Sequence, residues 1–271
     1  MKAIKITLFI IPVIFSFVTI NAQEITEAND LLQDSILWTE YEKKQNHLSE
    51  LWETMPDKQD SIQKVYNEMY EETSYKNREL AVRYASVPSG LQRLYMVRLD
   101  LPKDSVLSVF NTLNREMQES FYGKNILAHI ESKQIEEKDS IYTFPCTQDN
   151  EEEFDWKSVN GKQLLLLYGG LGCIGERGRQ YLKQLYDDTS REEFQIIVYW
   201  PVSSLDNLKK MREHYPSEYI FISDFKQDAS PIKIKYGSQT APTSFLTDKE
   251  HKIKVKCTGV KPELLNPHIY K

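Results

Sequence analysis

Cysteine and histidine are scarce in this chain of 271 residues, which has three of the first and five of the second. The histidines, His47, His129, His214, His251 and His268, show no metal-ligand spacing and adjoin no cysteine motif, so no metal is expected. A surplus of positive charge is also missing. The formal net charge is -6, with acids and bases interleaved, and that leaves no basic face for nucleic acid. No glycine-rich phosphate loop, Ser-His-Asp ordering or carboxylate pair stands out, and nothing implies a cofactor. After Ala22 no segment is apolar enough to cross a bilayer.

The first residues supply what the rest lacks. Met1 to Lys5 is basic, Ile6 to Ile20 is apolar, and Ile20-Asn21-Ala22 puts a small residue at a cleavage point. Residues 1–22 read as a secretory signal peptide, with an uncleaved anchor as the alternative and the only expected contact with a membrane. Gln23 rather than cysteine follows, which disfavours a lipidated terminus. The three cysteines, Cys146, Cys173 and Cys257, are an odd number for an exported chain. At least one is therefore free, paired with another molecule, or buried and inert.

Residues 23–140 are charged and poor in glycine, with apolar residues at helical spacing. Leu37, Tyr41, Leu48, Leu51 and Trp52 form one stripe, and Ile62, Val65, Tyr66, Met69 and Tyr70 a second. Pro56, Pro88 and the run Leu101-Pro102-Lys103-Asp104 punctuate them, giving four or five helices packed on one another. Residues 141–271 alternate β-rich runs (Leu164 to Tyr168, Gln195 to Trp200, Tyr219 to Ile222, Thr243 to Leu246, Lys252 to Lys256) with helical patterns at Arg179 to Tyr186 and Ser204 to Tyr215. That alternation predicts an α/β domain with a central mixed sheet flanked by helices.

The most informative stretch lies in this second half. Leu164 to Tyr168 runs into Gly169-Gly170-Leu171-Gly172, then Cys173, then Tyr181, Leu182, Leu185 and Tyr186 at helical spacing. The pattern predicts a strand, a tight turn and a helix carrying a thiol in its first turn. Downstream, Tyr236-Gly237 leads to Thr240-Ala241-Pro242-Thr243, a proline at the start of a strand. Together these resemble the thioredoxin superfamily, nearest its TlpA-like and AhpC/TSA-like branches, over roughly Phe144 to Leu265. The resemblance implies a leading hairpin from Phe144 to Lys162 and a cis proline at Pro242 facing the thiol. It also implies a binding edge at Ala241, Pro242 and Thr243, and protein or small-molecule thiols and disulfides as partners.

Where the family has Cys-x-x-Cys, this chain reads Cys173-Ile174-Gly175-Glu176, so the resolving thiol is missing. A second alignment, through Tyr181-Leu182, shifts Cys173 by one place and puts Gly172 where the nucleophile stands. A helix N-terminus and Arg177 or Arg179 would favour the thiolate, and Glu176 beside it would oppose it. Two readings follow. One is an exported thiol-disulfide oxidoreductase of the periplasm of a Gram-negative bacterium, acting on envelope proteins or peroxides through Cys173, with Glu176 as proton acceptor. The other is a catalytically inactive module that docks a partner through the Pro242 groove and the helical region. Cys146 and Cys257 fall at apolar strand positions where packing is the expected role, although a disulfide from either to Cys173 stays open.

Overall fold

The computed structural model describes residues 24–270, so the signal-peptide expectation lies outside the described residues. Among the described residues the N-terminal half holds six α-helices: α1 (Glu27–Thr54), α2 (Gln59–Arg83), α3 (Pro88–Val97), α4 (Lys103–Thr112), α5 (Arg115–Glu119) and α6 (Phe121–Glu131). Prolines mark the breaks as expected, Pro56 between α1 and α2 and Pro88 at the start of α3. The helix count and the two stripes need correction. Leu37, Ile62 and Met69 are buried, but Trp52, Val65 and Tyr70 are exposed. The reason is geometric: α1 and α2 form a long hairpin, and a two-helix layer buries a seam rather than a whole face. The hairpin root is tied to α3 by Arg93, whose guanidinium meets Asp30 at 3.1 Å and also pairs with Asp34.

The C-terminal half is a six-stranded sheet in the order β1-β4-β3-β2-β5-β6. Its strands are β1 (Thr147–Gln148), β2 (Gln163–Tyr168), β3 (Phe194–Tyr199), β4 (Ile220–Ser223), β5 (Thr243–Thr247) and β6 (Ile253–Thr258). Strands β2, β3 and β4 are parallel, whereas β5 runs antiparallel to β2 and β6 to β5. The continuous apolar run in β2 reflects cover on both faces. Leu164, Leu166 and Tyr168 enter one core and Leu165 and Leu167 the other, by the two-residue period of a strand.

Four helices belong to this half: α7 (Gly175–Asp188), α8 (Leu205–His214), α9 (Pro231–Ile234) and α10 (Pro262–Ile269). Leu182, Leu185, Leu208 and Leu265 bring α7, α8 and α10 onto one face. Residues from Ile135 onward and α9 cover the other. A β2-α7-β3 crossover followed by the β5-β6 hairpin and α10 is the thioredoxin fold. The leading hairpin is short: β1 turns back so that Thr147 bridges Glu153 and the Phe154 amide donates to the Cys146 carbonyl at 2.8 Å, and a 3-10 turn follows, with Phe154 and Trp156 packed into the first core.

The two halves meet around one fully buried cation. Arg98, just after α3, donates to the carbonyl of Tyr95 at 2.6 Å, to that of Lys233 at 2.8 Å and to Gln239 Oε1 at 2.7 Å. Its guanidinium lies 3.9 Å from the Tyr95 ring centroid. Tyr95 donates to the carbonyl of Asp228, and Ile234 of α9 joins the helical core. The helical half is thereby fastened to α9 and to the segment leading into Pro242.

Candidate functional site

The carboxyl end of β2 delivers the thiol loop, at the sheet edge where α/β folds place ligands. Gly169 and Gly170 turn the chain with φ of 55° and 78°, conformations that residues with side chains seldom adopt. The amide of Gly169 donates to the Tyr199 carbonyl at 2.7 Å, and that of Cys173 to the Gly170 carbonyl at 2.8 Å. Gly170 lies against the opposite loop so closely that a Cβ there would stand 2.4 Å from Pro242 N. The Ala241-Pro242 bond is cis, Pro242 and Thr243 are buried, and Ala241 is exposed. The structure thus brings Cys173, Ala241, Pro242 and Thr243 to one end of the sheet.

Replacing Gly170 with Ala is expected to cost about 2–4 kcal/mol, from the left-handed φ and a contact with rigid backbone. Gly172→Ala should cost less, because there the added Cβ meets the tip of a side chain, Tyr215 Oη, at 2.4 Å. Urea unfolding of the two variants checks this. If Gly170→Ala is the milder change, the close approach of the two loops is wrong.

One expectation about the thiol is corrected. Cys173 is not in the first turn of a helix: α7 begins at Gly175 with Ile174 as its cap, and Cys173 lies in the preceding turn. The left-handed φ of Gly175, 63°, separates that turn from the helix proper. The Glu176 side chain is engaged along α7. Its carboxylate accepts from Arg179 Nη2 at 2.9 Å and Gln180 Nε2 at 3.0 Å, one turn along α7. The Arg179 guanidinium holds that carboxyl below the usual range, which suits an ion-paired anion better than a proton acceptor.

The three cysteines are free thiols, so the disulfide from Cys146 or Cys257 to Cys173 does not form. Cys173 is exposed. Cys146 is buried in the first core and burial pushes its thiol far up. Cys257, half-buried on β6 against the second core, is raised for the same reason. Among the described residues no group of three or more His, Cys, Asp or Glu could hold a metal, and no helix is long and apolar enough to cross a membrane.

Residues that sequence reasoning missed complete the surroundings. Tyr215, at the end of α8, lies against Gly172 and stacks on Trp200 with ring centroids 5.5 Å apart. A cavity of about 860 Å³ opens beside the loop, lined by Leu171, Gly172 and Glu176 and, across from them, by Tyr186, Tyr215 and Tyr219. Local periodicity placed those tyrosines in helices or strands and carried no sign of their convergence.

No family model matches the chain, and no curated protein matches it. Solved structures similar to it include the thioredoxin domain of a thiol-disulfide oxidoreductase from Bacteroides vulgatus, 19% identical, covering 49% of this chain and 96% of that one, with a TM-score of 0.43. A thiol-disulfide oxidoreductase from Bacteroides fragilis is 17% identical, with 48% and 96% covered and a TM-score of 0.42. A thiol peroxidase from Chromobacterium violaceum is 15% identical, with 48% and 79% covered and a TM-score of 0.38.

Proposed function

We propose that this chain is an exported thioredoxin-fold protein that exchanges thiols and disulfides through Cys173 alone. The observation that carries the reading is selective exposure: of three free thiols, only Cys173 is open, and it stands in the loop that meets Ala241 and Pro242. The Cys173 thiolate attacks one sulfur of a partner disulfide, the partner's S–S bond breaks, and its other sulfur leaves as a thiolate. The mixed disulfide must be resolved by a second thiol, from a protein or a small molecule, because residue 176 is Glu. Tyr215 against Gly172 favours the register in which Cys173, not residue 172, presents the reactive side chain. The basic and apolar pattern of Met1 to Ala22 supports export, with the periplasm of a Gram-negative cell as the destination and envelope proteins or peroxides as substrates.

Oxidised glutathione tests the exchange step. The expected product is one adduct per chain, mapped to Cys173 by peptide mass spectrometry and absent from Cys173→Ser. An unmodified wild-type chain overturns the reading. Dithiothreitol-driven insulin reduction by the wild type should stay near the uncatalysed rate, and Glu176→Cys should raise it at least about tenfold by restoring a resolving thiol.

A second reading is favoured by the position of Cys173 ahead of α7 and by the Glu176–Arg179 pair, which together leave the thiol without an acid-base partner. In it the exposed backbone at Ala241 pairs with an extended segment of a protein partner and no exchange occurs. An inert Cys173 in the glutathione experiment selects this reading.

A further inference from the structure

A second cavity, of about 300 Å³, lies where the helical half meets the thioredoxin half, away from the thiol loop. Arg98, Lys103, His129, Gln134 and Lys256 line it together with one carboxylate, Glu136. Its one carboxylate is held by Lys256 at 2.8 Å, and donors predominate among the other polar side chains. Arg98 is fully buried, its three hydrogen bonds all go to neutral oxygens, and its Nε has no partner. His129 is 2% exposed. Its Nδ1 lies 3.1 Å from Gln134 Nε2, which is a donor, so the ring hydrogen belongs on Nε2, and that atom too has no partner.

Charge points the same way. Lys103 makes its hydrogen bond to the carbonyl of Ser132, and no ion pair among the described residues reaches it or Arg98. The carboxylates at the junction are already engaged, Glu136 by Lys256 at 2.8 Å and Asp228 by Lys233 at 3.2 Å. The cavity lining therefore holds three cations, Arg98, Lys103 and Lys256, and one carboxylate, Glu136. Burial and the fields of Arg98 and Lys103 push the His129 imidazole down to about 4, which keeps the ring neutral and Nε2 a donor. An uncompensated buried cation and buried donors without acceptors are each costly. Water could satisfy the donors but not the charge, whereas a small group with several anionic oxygens answers both.

We propose that this cavity binds a small oxyanion, a phosphate or carboxylate group, held by Arg98, Lys103 and His129. Its volume lies at the low end of ligand pockets and excludes a polymer. The site is independent of any chemistry at Cys173.

Titration calorimetry with sodium phosphate and with sodium succinate tests it, against sodium chloride at matched ionic strength. Saturable binding of one equivalent of either is expected, and which of the two binds identifies the group. At ten times its Kd the ligand should raise the melting midpoint by about 3–6 °C over the chloride control. Lys103→Gln, at the partly exposed rim, should weaken binding at least about tenfold, with a cooperative melt showing that the variant folds. Lys103→Met provides a second variant should Lys103→Gln misfold. Absence of binding above chloride for both anions overturns the proposal, as does unchanged affinity in the folded lysine variants.

Discussion

Under native conditions iodoacetamide is expected to alkylate Cys173 at least about a hundred times faster than Cys146, with Cys257 between them. Cys173 is exposed in a turn, whereas Cys146 is 3% exposed and packs among Phe144, Phe154 and Ile222. A buried thiol reacts only through local opening, and burial also raises its pKa and starves it of thiolate. Cys257 is half-buried with a thiol raised to a lesser degree. The measurement is the pseudo-first-order rate at each cysteine, read by peptide mass spectrometry, with the unfolded chain as reference. Rates in guanidinium should converge, because only the fold separates the three sites. Equal native rates for Cys173 and Cys146 would remove the basis for assigning exchange chemistry to Cys173.

Arg98→Ala is expected to destabilise the protein by about 3–5 kcal/mol. The change strands two backbone carbonyls and Gln239 Oε1, removes the contact with the Tyr95 ring, and leaves a cavity between the halves. Relief of the charge's desolvation offsets part of that loss. For a chain of this size the melting midpoint should fall by about 6–20 °C. Arg98→Lys should recover only part of it, since an ammonium cannot span three acceptors as the guanidinium fork does. A melting curve for Arg98→Ala within about 1 kcal/mol of the wild type would mean that the halves are not fastened there.

Elements built from neighbours in sequence were legible. The apolar run of β2, the Gly169-Gly170 turn, the α7 stripe and the Thr240-to-Thr243 approach to β5 each carry their own periodicity or turn chemistry. Their order along the chain leads to the thioredoxin fold. Burial of Cys146 also followed from its apolar strand context. The long stripes of α1 and α2 were over-read, because amphipathicity does not say how many helices share a face. Loop detail at the thiol was misjudged by two residues, because a single positive φ at Gly175 decides where α7 begins and periodicity cannot register it.

What the sequence by itself determined is the succession of strands and helices and the scarcity of thiols, since both depend on short-range pattern and composition. Only the tertiary structure decided what those elements bring together: Tyr215 against Gly172, Gly170 against Pro242, and Arg98 beneath the residues that lead to it. These pairings join residues far apart in the chain, through backbone approach and buried hydrogen bonds. Their stability comes from burial and polar satisfaction in the assembled fold, and neither has a period that a linear pattern can carry.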